Sequence, residues 1–366
     1  MRDEFHPLPI AAVRRETADA VSFALAVPEP LRETFRHRAG QHLVVRAVLD
    51  GTEVRRTYSI SSDPADGELW ITVKRVDGGL FSTHAHERLA AGATIEAMRP
   101  AGRFVVPDDI GADGGDGRNY LAIAAGSGIT PVMAQIRHVL ARELRSSFTL
   151  IYGNRSVGSI IFREALEDLK DRHLGRLSVL HVLSRDTEAD VPLLSGRIDA
   201  DKLRQLLPLV AAPGAIDRVY LCGPGDLIKT AREALLAAGV ARERIHFEYF
   251  RAGPEAVQRK PPPARATEAD EATAGAAVTV VVDGTRHAFR VPAGGLVVDA
   301  AVAAGVRVPY SCKGGMCCTC RAKLVEGEVD MVRNFSLEPW EIEAGFVLTC
   351  QAQPRSSRVV LDYDAM

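Results

Sequence analysis

Five of the six cysteines fall after residue 310, and Cys312, Cys317, Cys318 and Cys320 share one short stretch, PYSCKGGMCCTC. Thiols this crowded do not suit a disulfide framework, in which paired Cα atoms stand about 5 to 6 Å apart with side chains facing. They read instead as ligands of a metal centre, on a loop that must wrap tightly around it. One core seldom serves more than about 250 to 300 residues, so a chain of 366 residues is expected to form two or three domains. Hydrophobic residues at 46% and charged residues at 25% place it among soluble globular proteins. A formal net charge of -2 and the lack of a basic run give no electrostatic case for nucleic acid. The opening MRDEFHPLPI is not a signal peptide, and no window approaches about 18 uncharged apolar residues, so a cytoplasmic protein without a membrane partner is expected.

The texture of the chain changes three times. Residues 1–110 hold short runs such as HLVVRAVL and LWITVKRV, alternating apolar and polar, with turn signals at Asp50-Gly51 and near Pro64. An antiparallel β-barrel or sandwich follows from that pattern. Residues 118–250 read as apolar strand, glycine turn and helix, in YLAIAAGSG, ITPVMAQIRHVLAREL and SFTLIYGN, with further strands at LSVLHVL and RVYLCGP. This predicts an α/β domain on a parallel sheet. The glycine-rich Gly111–Gly117 would hinge the two. Residues 251–276 carry Pro, Ala and charge with little to bury, which marks a linker. A third domain, 277–366, opens with AVTVVVDG and HAFRVPAG, and a helix near Val297–Ala304 precedes the cysteine loop.

Cys312, Cys317 and Cys320 have C-x4-C-x2-C spacing, with Cys350 after a long excursion, the pattern of a [2Fe–2S] centre. Four thiolates must converge on two irons, and Gly314 and Gly315 supply backbone that approaches closely and offers N–H donors. Cys318 is left over and should point away. A four-cysteine zinc site is the competing reading, but zinc ligands usually come as two short C-x2-C pairs. The loop resembles that of plant-type ferredoxins, down to FVLTCQ around Cys350, and the resemblance implies a β-grasp fold. One departure is the near-neutral charge of this domain. A tethered domain needs less long-range steering, because a flexible linker gives an effective concentration of order mM.

RRTYSISS, Arg55 to Ser62, places Arg56 and Tyr58 on one strand face. Arg56 suits a phosphate, Tyr58 a flat ring system and Ser59 a ring nitrogen; alone, the run also fits an ordinary barrel strand. In GGLFSTHAHERL, Gly78, Gly79, Ser82 and Thr83 sit at a loop-to-helix junction, where backbone N–H groups hold a pyrophosphate. Together these segments resemble the ferredoxin–NADP reductase superfamily, with its RxYS flavin motif and GxxS phosphate segment. The resemblance implies a flavin-binding barrel with an FAD site at Arg56, Thr57, Tyr58, Ser59, Val73, Lys74, Gly79, Phe81, Ser82 and Thr83, Tyr58 and Ser59 acting at the reacting ring. FMN is the alternative. His84 and His86 as metal ligands carry little weight here.

AAGSGITPVMAQI sets Gly126 and Gly128 between strand and helix, with Pro131 in the first turn, which suits pyrophosphate at a helix N-terminus. GSGITP and CGP match superfamily motifs, so Gly126, Gly128, Thr130, Pro131, Cys222, Gly223 and Pro224 are implied contacts of a nicotinamide nucleotide. Cys222 also fits a plain core position. LSRDTE resembles the SRE segment that holds a 2′-phosphate, making Ser184 and Arg185 candidates for NADPH selection, with Arg155 and Arg197 as helpers. NADH remains the alternative donor. IHFEYF resembles the E-x-F segment beside the flavin, which would let Phe250 cover the ring; an aromatic core strand is the other reading.

The domain order describes a device that accepts two electrons and emits them singly, at a cluster potential near about −400 mV. YGNRSVGSIIFREALEDLKDRHLGRLSVLHVLSR and EVDMVRNFSLEPWEIEAGFVLTCQ resemble the reductase-subunit family of phenylacetyl-CoA epoxidases. That resemblance implies an NADPH-dependent oxidoreductase of phenylacetate catabolism whose acceptor is a separate di-iron oxygenase component. An NADH-dependent reductase of a ring-hydroxylating or steroid-hydroxylating oxygenase shares the same order.

Overall fold

The computed structural model describes residues 4–107, 117–185, 191–210, 212–250 and 275–365. Most of the expected hinge and the expected linker up to residue 274 lie outside the described residues. The chain divides into two compact units, one of Pro7–Val54 and Tyr58–Gly253, the other of Pro254–Met366 with Met1–His6 and Arg55–Thr57.

The larger unit begins with β1 (His6–Thr17), β2 (Ala20–Leu25), β3 (His42–Leu49), β4 (Thr52–Ser59), β5 (Leu69–Lys74) and β6 (Thr94–Ala97), with helix α1 (Leu80–Arg88) between the last two strands. The six strands form one antiparallel sheet in the order β4-β3-β6-β1-β2-β5. An Ile60–Ile71 bridge joins the end of β4 to β5 at the opposite edge and so closes the expected barrel. Its interior holds every second residue of these strands, among them Leu8, Ile10, Phe23, Leu43, Val45, Ile71 and Val73.

A five-stranded parallel sheet follows, in the order β11-β10-β7-β8-β9. Its elements are β7 (Asn119–Ala125), α2 (Ile129–Arg142), β8 (Ser147–Asn154), α3 (Arg163–Arg172), β9 (Leu177–Leu183), α4 (Ala200–Val210), β10 (Arg218–Gly223), α5 (Gly225–Ala237) and β11 (Ile245–Tyr249). Both faces are covered, which is why the strands read as continuous apolar runs. Tyr120, Ala122, Ala124 and Tyr220 face α2 and α3, while Leu121, Ile123, Val219 and Leu221 face α4 and α5. Strand order reverses between β7 and β10, and the crevice at their C-terminal ends is where such sheets bind ligands.

Barrel and parallel sheet do not have separate cores. Ala20, Ala39, Phe104 and Val106 join the cluster of Tyr120, Met133, Ile136 and Tyr220. The Phe104 ring meets Tyr220 edge-on at 5.4 Å, and Gln135 Nε2 donates to the Phe104 carbonyl at 2.7 Å.

The smaller unit contains β12 (Ala276–Val282), β13 (Thr285–Val291), α6 (Val297–Ala303), β14 (Arg321–Glu326), β15 (Val329–Met331), α7 (Pro339–Glu343), β16 (Phe346–Leu348), β17 (Ala352–Pro354) and β18 (Arg358–Asp362). Strand β12 starts one residue inside the segment read as linker. Asp283 and Gly284, at φ 50° and 73°, make the two-residue turn of the β12–β13 hairpin. A mixed sheet, β13-β12-β18-β14-β16, takes Val297, Val298 and Ala301 of α6 into its core, the expected β-grasp arrangement.

Candidate functional site

Strand β4 delivers Arg56 and Tyr58 half-buried and Ser59 buried. Arg56 donates to the Arg55 carbonyl at 2.8 Å, and the Tyr58 ring lies 5.5 Å from Phe81 at 37°. Ser59 Oγ is buried with no hydrogen-bond partner. A hydroxyl in that state wants a ligand, so the site fits a flavin with a polar ring edge. Val73 packs in the barrel core, and Lys74 beside it pairs with Asp19 at 3.4 Å. Gly79 caps α1, whose first-turn N–H groups lack intrahelical partners by construction. The Ser82 hydroxyl is engaged within the loop, accepting from Val76 N–H at 3.1 Å and donating to the Gly79 carbonyl at 3.2 Å. Thr83 N–H donates to that same carbonyl as the first helical bond of α1, so Thr83 fixes the helix start and the Ser82 hydroxyl ties the preceding loop to it.

At the β7/β10 crevice, Gly126 has φ 54° and Tyr152 Oη donates to its carbonyl at 2.9 Å. A Cβ on Gly126 would meet only Lys74 Nζ, at 3.7 Å, so the turn offers an open cradle and a cation. Gly128 is the reverse: a Cβ there would stand 2.2 Å from the Cys222 carbonyl oxygen, because α2 starts hard against the end of β10. Thr130 is buried, its hydroxyl donating to the Ser127 carbonyl, and Pro131 occupies the first turn of α2. Cys222 is fully buried, and burial pushes its thiol well above the ordinary range, so it stays protonated. Gly223 and Pro224 lead into α5, and Phe250 N–H donates to the Gly223 carbonyl at 2.9 Å. Phe250 packs half-buried against the shared core.

The cationic candidates converge at the ends of β8 and β9. Ser184 N–H donates to the Asn154 carbonyl and Arg185 N–H to the Arg155 carbonyl, while Gly196, next to Arg197, donates to the Leu183 carbonyl. Arg155, Arg185 and Arg197 are exposed there. The rest of LSRDTE, 186–188, lies outside the described residues. Asn154 Nδ2 is buried with no hydrogen-bond partner beside this group. Sequence reasoning missed Asn154 and His42; His42 meets Glu248, the acidic residue of the E-x-F segment, inside the unit at 3.4 Å.

In the smaller unit the thiols form two pairs, Cys312 with Cys317 and Cys320 with Cys350. Cys317 hydrogen-bonds to Cys312 and, with the N–H groups of Gly314, Met316 and Cys317, pulls the Cys312 thiol down to about 5. Cys317 itself is pushed up. Cys320 holds Cys350 below its ordinary value in the same way, helped by Gln351 and the Gly315 N–H. Among the described residues no three His, Cys, Asp or Glu side chains converge where one metal ion could sit. Two dithiol pairs ringed by N–H donors suit a two-iron cluster better than a single zinc. Lys313, Gly315 and Cys318 all have positive φ, the tight wrapping the loop needs. Cys318 turns aside and donates to Ser336 Oγ at 3.0 Å. Behind the loop, Tyr363 Oη donates to Thr349, which donates to the Cys320 carbonyl, and Arg321 pairs with the buried Glu341 at 2.9 Å.

A flavin barrel, a dinucleotide crevice and a two-iron thiolate loop on one chain define an NAD(P)H-dependent flavin and iron–sulfur oxidoreductase. Family models agree: the oxidoreductase FAD-binding domain over residues 7–106, the oxidoreductase NAD-binding domain over 122–233 and the 2Fe-2S iron-sulfur cluster binding domain over 280–355. FAD, NAD(P)H and a [2Fe–2S] cluster are therefore its cofactors. The chain is 43% identical over 99% of its length, and 98% of the relative's, to a subunit of the 1,2-phenylacetyl-CoA epoxidase of Escherichia coli (strain K12). It is 36% identical over 97% of its length, and 96% of the relative's, to the ferredoxin reductase component of 3-ketosteroid-9-alpha-monooxygenase of Rhodococcus rhodochrous. Among solved structures it resembles phthalate dioxygenase reductase, with a TM-score of 0.59, 26% identity and 98% of each chain covered. The chain belongs to the ferredoxin–NADP reductase superfamily with a C-terminal 2Fe-2S domain, in the family that includes this phenylacetyl-CoA epoxidase component. No described helix is long and apolar enough to cross a membrane.

Proposed function

We propose that the protein takes electrons from NADPH and passes them through FAD and its [2Fe–2S] cluster to a separate di-iron oxygenase component, that of a phenylacetyl-CoA epoxidase. The 43% identity over nearly the whole of both chains carries this reading. Bound flavin supplies the step from a two-electron donor to one-electron transfer. The chain's own residues bind and orient. Arg56 and the α1 N-terminus take the flavin phosphates, Thr57, Tyr58 and Lys74 line the ring, Val73 and Phe81, expected to touch it, instead back that wall from the barrel core, and Ser59 donates to its polar edge. Gly126, Gly128, Thr130 and Pro131 seat the nucleotide pyrophosphate, Cys222, Gly223 and Pro224 position the nicotinamide, and Phe250 covers the ring. Cys312, Cys317, Cys320 and Cys350 hold the cluster. The domain division is 1–110, 118–250 and 277–366, and the setting is cytoplasmic, where thiols stay reduced.

The choice of NADPH is supported by Ser184 and Arg185, with Arg155 and Arg197 near them, since arginine pairs well with a phosphate. Anaerobic titration with NADPH and with NADH should bleach the flavin and then reduce the cluster, NADPH being the stronger donor. Replacing Ser184 and Arg185 by Ala should weaken NADPH alone; equal loss with NADH refutes the phosphate role. The 36% identity to a steroid monooxygenase reductase component favours a second reading, an NADH-dependent reductase of a ring- or steroid-hydroxylating oxygenase. Turnover with the epoxidase component of the same organism separates them: reduction of the cluster without epoxidation refutes the first.

A further inference from the structure

His42 opens β3 and Glu248 lies on β11, more than two hundred residues apart in sequence. Nδ1 of His42 is 3.4 Å from Oε1 of Glu248, with the two side chains 1% and 13% exposed. The contact lacks hydrogen-bond geometry. Both ring nitrogens of His42 and Oε2 of Glu248 are buried with no hydrogen-bond partner. A pair kept in that state is destabilising unless it is used, and hydrogen bonds at active sites are often long until the site is loaded.

The surroundings hold the imidazole in place. His42 and Ala101 exchange backbone hydrogen bonds at 2.9 Å, and a Cβ on Gly102 would stand 2.9 Å from Nδ1. Glycine at 102, with φ 111°, is what lets the ring lie there. On one side, the Gln41 carbonyl accepts from Ile60 N–H, next to Ser59. On the other, Glu248 sits in register with Cys222 on β10. The pair thus bridges the strand that offers the unpartnered Ser59 hydroxyl and the strand that offers the buried thiol.

We propose that His42 is a positioning residue for reduction of the flavin: its imidazole directs Nδ1–H at Oε1 of Glu248 and so leaves Oε2 as an acceptor for the amide of the incoming nicotinamide. The proposal rests on the reading of Ser59 and of Cys222 to Pro224 as walls of the reacting site.

Two substitutions in the holoenzyme separate positioning from packing. His42→Asn keeps a donor near the Nδ1 position in a smaller side chain, whereas His42→Phe keeps the ring and loses the donor. Single-turnover flavin reduction is measured together with calorimetric binding of NADP+ and of 2′-phospho-ADP-ribose, which lacks the nicotinamide. The Phe variant should reduce its flavin about tenfold more slowly or worse and bind NADP+ more weakly with 2′-phospho-ADP-ribose unchanged. The Asn variant should recover most of both. If Phe performs as well as Asn, or both ligands weaken equally, His42 only packs and the proposal is overturned. Should the Phe variant not fold, His42→Gln replaces it, its amide reaching the Nε2 position instead, and the same loss is expected. A wild-type flavin that neither NADPH nor NADH reduces overturns the reading of the site itself; reduction by NADH alone moves the binding measurements to NAD+ and ADP-ribose.

Discussion

Gly128→Ala tests the closest approach in the dinucleotide crevice. The φ of −61° at Gly128 suits any residue, so the whole effect is steric. The added methyl would stand 2.2 Å from the Cys222 carbonyl oxygen, 2.5 Å from its carbonyl carbon and 2.9 Å from the Gly223 nitrogen, all backbone atoms that no rotamer change relieves. Restoring an ordinary contact of 3.4 Å means parting α2 from β10 by about 1.2 Å. Misplacement of about 1 Å costs on the order of 100-fold in rate, and overpacking of this kind about 1–3 kcal/mol in stability. For a unit of this size that is a fall in Tm of several degrees. Anaerobic stopped-flow reduction by NAD(P)H should slow accordingly, while chemical reduction by dithionite, which needs no nucleotide, should leave flavin and cluster reducing as in the wild type. If the variant reduces its flavin within about threefold of the wild-type rate, the Gly128–Cys222 approach does not set the nucleotide position and the crevice has been misassigned.

Ser59→Ala should slow flavin reduction about tenfold, the worth of one hydrogen bond of about 1.5 kcal/mol, yet leave the apoprotein's Tm unchanged or higher, because an unpartnered buried hydroxyl is removed; lower apoprotein stability counts against this. Burial alone would raise the Asp63 pKa, but the hydrogen bond with His138 at 3.1 Å and the Ala65 N–H outweigh it, and the net shift is downward. A lowered carboxylate stabilises above its unfolded value of about 3.9 and loses that contribution as pH falls through the folded value. Urea unfolding of Asp63→Asn should therefore show a deficit at neutral pH that closes below about pH 4; a pH-independent deficit refutes the pairing. Glu341→Ala leaves Arg321, 17% exposed, without its carboxylate. Loss of about 3–5 kcal/mol should appear as faster bleaching of the cluster absorbance on warming, with the flavin unaffected.

What could be read in advance was what short sequence periods encode. The even and odd residues of YLAIAA report two covered faces, Asp283-Gly284 reports a tight hairpin, and the spacing from Cys312 to Cys320 reports a thiolate loop. RxYS placed Ser59, though its missing partner emerges only once β4 is closed against β5. Ser82 was legible as part of a loop-to-helix junction, but not its engagement with Val76 and Gly79, which depends on how the preceding loop folds back. The His42–Glu248 pair joins the first residue of one strand to the fourth residue of another across the larger unit, and no local pattern marks it. Nor does any pattern show that Phe104 and Val106, which end the barrel sequence, belong to the core of the parallel sheet.

That shared core bears on how such proteins can be recombined. Cutting the chain near residue 107 to exchange nucleotide-binding halves between relatives would pull the Phe104 ring from Tyr220 and strand the Val105 carbonyl, which accepts from Tyr220 Oη at 3.3 Å, and the Phe104 carbonyl, which accepts from Gln135. A graft at that seam inherits a mismatched interior unless Ala39, Phe104, Val106, Gln135 and Tyr220 travel together. In this chain, then, cofactor preference is expected to be altered by point substitution on an intact reductase half, not by trading modules.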